Sequence, residues 1–121
     1  MHNTGIVLFA HGSRDPRWRE PVEAVARQVA ALAPTARVVC AYLEFIEPDL
    51  PTAASALIAS GANAIKVVPL FLGMGKHVRE DLPALLDALR IAHPTVDFTL
   101  ARAVGEDPDV IDLLAKTALK A

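Results

Sequence analysis

Four short apolar runs alternate along this chain with longer stretches of helical period. Ile6-Val7-Leu8-Phe9-Ala10 contains no polar residue, the pattern of a strand covered on both faces by helices. Val38 to Leu43 and Ala64 to Leu70 repeat it, the second with Lys66 as its one charge, whereas Val96-Asp97-Phe98-Thr99-Leu100 alternates apolar with polar. Alternation predicts an edge strand with one wetter face. Between the runs, Val22, Val25, Ala26, Val29 and Leu32 recur at helical spacing, as do Leu82, Leu85, Leu86 and Leu89, and then Val110, Ile111 and Leu114. Proline close to an acidic residue marks helix starts at Glu20-Pro21, Asp49-Leu50-Pro51, Asp81-Leu82-Pro83 and Asp107-Pro108. Proline loses nothing in the first turn, where its missing N–H has no partner, and a carboxylate there caps free amides. Pro34, Ser60-Gly61 and Pro94 mark helix ends.

Strand and helix in alternation predict an α/β fold, an open parallel sheet with helices on both faces, because parallel neighbours need right-handed crossover helices. A four-stranded sheet of this kind takes the flavodoxin-like order 2-1-3-4. Its switch point then lies between strands 1 and 3, so ligands are expected beyond Ala10 and Leu70.

Composition narrows the class. With 121 residues, 53% of them hydrophobic, the chain builds one domain over residues 1–121, since a second core is not expected below roughly 150 residues. Twelve Lys and Arg against 14 Asp and Glu give a formal net charge of −2, without the basic excess of a protein that lives on nucleic acid or anionic lipid. No run approaches the ~18 apolar residues of a membrane span. The start, Met1-His2-Asn3-Thr4-Gly5, lacks the basic opening of a secretion signal. The single cysteine, Cys40, lies in the apolar run Arg37-Val38-Val39-Cys40-Ala41-Tyr42-Leu43 and cannot form an internal disulfide, so it reads as a buried, inert thiol in a reducing compartment. The expected location is the cytoplasm, with neither nucleic acid nor membrane as partner.

The switch point is where chemistry concentrates. His11-Gly12-Ser13-Arg14 follows strand 1, and Gly73-Met74-Gly75-Lys76-His77-Val78-Arg79 follows strand 3. Taken singly, either histidine reads as a turn residue bonded to backbone; converging on one crevice, they suit metal delivery, proton abstraction or both. Glu44, directly after strand 2, opens at the same edge and adds a carboxylate that can help bind a divalent metal or accept protons. Gly73 and Gly75 permit positive backbone dihedrals and the close approach of a flat or bulky ligand. Arg14, Arg17, Lys76 and Arg79 form a cationic rim suited to a polyanionic substrate. Trp18 and Met74 are candidates for contact with an aromatic ligand face, Trp18 equally for packing ahead of the first helix. His93, before Pro94, reads as a helix end.

Other functions lack their signatures. Neither glycine cluster has the spacing of a P-loop, Gly12 alone makes no dinucleotide fingerprint, and Ser13 has only one of the two glycines of a hydrolase elbow. A receiver domain needs an aspartate at the end of strand 3, which here reads Val68-Pro69-Leu70. A histidine phosphatase remains as an alternative through His11-Gly12, although Ala10 stands where those enzymes carry arginine.

The segments Leu8-Phe9-Ala10-His11-Gly12-Ser13-Arg14, Ala41-Tyr42-Leu43-Glu44, Val67-Val68-Pro69-Leu70-Phe71-Leu72 and Gly75-Lys76-His77-Val78-Arg79-Glu80-Asp81-Leu82-Pro83 resemble the small class II chelatases that insert a metal into sirohydrochlorin. The likeness runs from about Gly5 to the last helix. It implies a flavodoxin-like fold with no tightly bound cofactor, and sirohydrochlorin and divalent cobalt or iron as substrates, on the way to cobalamin or siroheme. The family's metal-handling and catalytic residues fall on His11, His77 and Glu44. Ser13, Arg14, Gly75, Lys76 and Arg79 are assigned to substrate binding. Lys76 departs from the small residue found in many relatives. A noncatalytic tetrapyrrole or metal carrier with the same site is the other function this likeness allows. Larger members resemble two such domains in tandem, so the resemblance also implies a homodimer.

Overall fold

The computed structural model describes residues 3–121; His2, which has no candidate ligand beside it in the sequence, lies outside the described residues. In chain order the elements are β1 (Thr4–Ala10), α1 (Glu20–Leu32), β2 (Arg37–Tyr42), α2 (Leu50–Ala59), β3 (Ala64–Pro69), α3 (Lys76–Ala92), β4 (Asp97–Leu100), a 3-10 turn (Val104–Glu106) and α4 (Pro108–Ala118). The four strands form one parallel sheet in the order β2-β1-β3-β4, the order expected from the apolar runs. β1 therefore sits centrally between β2 and β3, and β4 is the alternating edge strand, with Phe98 buried between exposed Asp97 and Thr99.

Strand parity divides the core. Val7 and Phe9 of β1 and Ile65 and Val67 of β3 meet Leu50, Ala53, Ala54 and Leu57 of α2 and Leu82, Leu86 and Leu89 of α3 in one buried cluster. Ala10 and Tyr42 point the other way and meet Val22 of α1, with Trp18, Cys40, Ile46 and Leu70 around them. Trp18 is thus a packing residue, its ring set edge-on to Tyr42 at 6.1 Å, and Met74 packs against the main cluster. Burial pushes the Cys40 thiol up from its ordinary range, as expected of an inert cysteine. Burial, with Cys40 beside it, also pushes Tyr42 up to about 12.

Three of the four proline-marked helix starts stand where expected. Asp49 caps α2, accepting the Thr52 amide at 2.9 Å, and Asp107 caps α4 through the Asp109 amide at 2.8 Å. Asp81-Leu82-Pro83 is different: α3 begins at Lys76, behind Gly75, and runs on through Pro83. Proline in a helix interior removes one backbone bond and costs about 3 kcal/mol. Here the unpaired carbonyl belongs to Arg79, which like Pro83 is exposed to water, and the helix buries Leu82, Leu86 and Leu89, each worth about 1.5–3 kcal/mol. As a result Lys76, His77 and Arg79 stand on the first turns of a helix rather than in a loop. Among the described residues no helix is long and apolar enough to cross a membrane.

Candidate functional site

The carboxyl ends of β1, β2 and β3 carry the segments singled out in the sequence, and backbone hydrogen bonds lock the first two together. The Leu43 amide donates to Ala10 O at 2.9 Å and the Glu44 amide to His11 O at 3.0 Å, so the β1–β2 ladder continues past both strands into the site. Gly12 makes this crossing possible. Its φ is 99°, and a Cβ there would collide with the Glu44 carbonyl; this position accepts glycine on both counts.

The cavity beyond the switch point has a volume of about 340 Å³ and is lined by Phe9, Leu43 and Glu44 from the β1 and β2 side and by His77, Val78, Asp81, Leu82 and Leu85 from α3. Two of the three expected metal-handling residues therefore share one cavity. His11 does not line it: its backbone carbonyl accepts the Glu44 amide, and its imidazole lies against Phe71, ring centroids 4.3 Å apart. Both histidines and Glu44 are exposed. Among the described residues no group of three or more His, Cys, Asp or Glu side chains is drawn together tightly enough to hold a metal ion. Glu44 also borders a second, smaller hollow of about 210 Å³ with Tyr42, Ile46, Pro48 and Asp49, so its carboxylate stands on the ridge between the two.

The residues expected to bind substrate do not line this cavity; they lie on the segments that follow β1 and β3. Ser13 accepts the Asp15 amide on its hydroxyl oxygen at 3.1 Å, and Asp15 in turn accepts the Arg17 amide at 2.9 Å. The described ion pairs join Arg19 to Glu23, Arg90 to Asp87 and Lys116 to Asp112. Among the described residues, Arg14, Lys76 and Arg79 thus have no carboxylate partner. Gly75 caps α3 with φ of −67°, and neither Gly73 nor Gly75 adopts the positive dihedral expected of it. Open space surrounds both.

Several site residues escaped the sequence reading. Asp81, taken there as a helix cap, lies one turn after His77 on the same face of α3 and lines the same cavity; its spacing of four from the histidine was the available signal. Gly105 lets the chain after β4 close against the Leu72 backbone, where a Cβ would collide, and its amide donates to Phe71 O at 3.0 Å. Leu43, Phe45 and Leu72, on the segments that follow β2 and β3, are exposed by 44%, 56% and 72%. No periodicity marks them.

Three comparisons bear on this arrangement. The family profile described as CbiX matches residues 5–121. The sirohydrochlorin cobaltochelatase of Saccharolobus solfataricus is 33% identical over 118 residues, which cover 93% of this chain and 91% of that one. Among solved structures, a CbiX protein from Marinobacter aquaeolei, assigned by name to cobalamin (vitamin B12) biosynthesis, superposes with a TM-score of 0.81 at 35% identity, over 95% of this chain and 93% of that one. SirB from Bacillus subtilis, solved with Fe3+, superposes with a TM-score of 0.78 at 25% identity, over 94% of this chain but only 45% of SirB.

Proposed function

The chain belongs to the CbiX family, and on that premise we propose that it is a sirohydrochlorin chelatase, a lyase that inserts divalent cobalt or iron into sirohydrochlorin on the way to cobalamin or siroheme. The observation that carries this reading is the meeting of Glu44 and His77 on one cavity, with His11 bonded through its backbone to Glu44.

Insertion exchanges two pyrrole N–H protons for one divalent ion and the ion's water for ring nitrogens. The site must therefore hold the ion beside the macrocycle, accept two protons and then let the ion go. Imidazoles at His11 and His77 supply metal-binding bases, and the Glu44 carboxylate assists both tasks. A loose ligand set fits a metal that is substrate rather than resident, because an ion caged by several tight ligands would not pass to the macrocycle. Sirohydrochlorin is rich in carboxylates, and Arg14, Lys76 and Arg79, free of described ion pairs, would receive them. Ser13 adds a hydroxyl donor, and the open space at Gly75 leaves room for the edge of the ring.

On this reading residues 1–121 are one cytoplasmic chelatase domain that needs no resident cofactor and pairs with a second copy. The pairing has structural support in α4, where Ile111 and Leu114 are 51% and 45% exposed and no residue is buried. SirB is long enough to hold two such units in one chain.

The test is to mix purified protein with sirohydrochlorin and Co2+ or Fe2+ and follow the macrocycle's absorbance. We expect insertion faster than with metal alone, falling on the order of 100-fold in His11→Ala and in His77→Ala. A rate equal to the metal-only control overturns the proposal. Stoichiometric binding without turnover would make the protein a carrier, and phosphate release dependent on His11 but indifferent to Glu44 would make it a phosphatase.

A further inference from the structure

Phe45 is held in an unusual way. Its φ is +71°, the one positive value at a non-glycine position among the described residues, and the Ile46 amide donates to Glu44 O at 2.9 Å. These two facts define a three-residue γ-turn of the rare, strained hand, centred on a bulky aromatic that disfavours this backbone region. The strain does not serve packing of Phe45 itself, whose ring is 56% exposed. What the turn does is separate three neighbours. Glu44 goes to the cavity shared with His77, Ile46 goes to the cluster beneath the sheet, and Phe45 goes outward.

The ring nonetheless has a described partner. The guanidinium carbon of Arg14, from the segment after β1, stands 4.9 Å from its centroid, within cation–π range. Leu43, two residues earlier in the chain, is also exposed and lines the cavity shared by Glu44 and His77. A strained turn that displays a large apolar ring beside a polar site is the kind of outlier from which a function is inferred. The surroundings state the ligand chemistry: flat and apolar in its face, anionic at its periphery, and brought against Glu44 and His77.

Resting on the chelatase reading, we propose that Phe45 is the contact residue for the face of the tetrapyrrole, presented by the strained γ-turn and oriented by Arg14. The ring sets how the macrocycle sits over the metal-handling groups, and its loss acts on tetrapyrrole affinity rather than on metal binding.

The test uses the full chain in metal-free equilibrium titrations with sirohydrochlorin, followed by its absorbance, and separately with Co2+ alone. Phe45→Asn keeps a residue that tolerates the left-handed region, so it should raise the melting temperature by roughly 2–4 °C as strain is relieved. It should also weaken sirohydrochlorin binding about tenfold through loss of the aromatic contact and leave Co2+ binding unchanged. Phe45→Tyr, which retains the ring, should bind within about twofold of wild type. Gain of stability with loss of macrocycle affinity is a combination that a purely structural role for Phe45 does not produce. Wild-type sirohydrochlorin affinity in Phe45→Asn overturns the inference while insertion by the wild-type protein still stands; failure of the wild-type protein to bind or metallate sirohydrochlorin overturns the chelatase reading instead.

Discussion

The two faces of the sheet are built to different standards. On the face covered by α2 and α3, Phe9, Leu50, Ile65, Val67 and Leu86 are each at most 1% exposed, and the helices cover the sheet as far as the edge strand. On the other face, α1 covers β1 and β2 through Val22, but Lys66 and Thr99, paired across β3 and β4, remain exposed. A hollow of about 280 Å³ lies there, between Lys66 and Val68 on the strand and Asp107 and Pro108 at the start of α4. An amphipathic helix with no buried residue beside a half-covered sheet teaches that the two faces do different work: one completes the fold, and the other stays open, which is the face on which the proposed pairing with a second copy rests.

This contrast can be broken by substitution. Leu86→Ala on the closed face should cost about 2–5 kcal/mol of unfolding free energy, read by denaturant melts and independent of protein concentration; a loss below about 1 kcal/mol would show that this face is not close-packed. Asp49→Ala, which removes the cap of α2 on the same face, should cost about 1 kcal/mol at neutral pH. Hydrogen bonds from the Thr52 side chain and then its amide hold the Asp49 carboxyl below its ordinary range. Its contribution is therefore complete above the unfolded value near 4 and lost as pH falls through the lower folded value. The difference between wild type and Asp49→Ala should accordingly shrink in melts below about pH 4, and a constant difference would assign the effect to something other than the carboxylate. Least costly to the fold is Ile111→Asp combined with Leu114→Asp on the open face. It should change the unfolding free energy of the monomer by about 0.5 kcal/mol or less while converting a dimer to a monomer in light scattering. A variant that stays dimeric would remove α4 from the interface.

Legibility followed the same division. Residues buried on both sides announce themselves, so the runs at Ile6 to Ala10 and Ala64 to Leu70 located two strands and their order. Helix caps at Asp49 and Asp107 were legible because a carboxylate before a proline has a local job. Pro83 misled because its local preference for a first turn was outweighed by burial of three leucines along a longer helix, information that lies in tertiary packing. At the site, the positions of His11, Glu44 and His77 after strands placed all three at the carboxyl edge of the sheet, where the structure brings Glu44 and His77 to one cavity and leaves His11 against Phe71. Phe45 was not, since no sequence pattern marks a phenylalanine for a positive φ. Gly105 was invisible for a related reason: its requirement comes from the Leu72 backbone, more than thirty residues earlier in the chain.

The crossing at Gly12 has a consequence for how the proposed metal-handling residues are mounted. His11 and Glu44 are fixed to each other by a backbone bond that prolongs the β1–β2 ladder, and the absent Cβ leaves no slack between them. His77 rides on the first turn of α3, a helix anchored to the sheet further along by Leu82, Leu86 and Leu89 and preceded by two glycines with open space around them. On that proposal the site resembles a vice with one jaw built on strands and the other on a helix. Substitutions along the first turns of α3 would then alter the gap to His77 without disturbing the anvil formed by the first two strands.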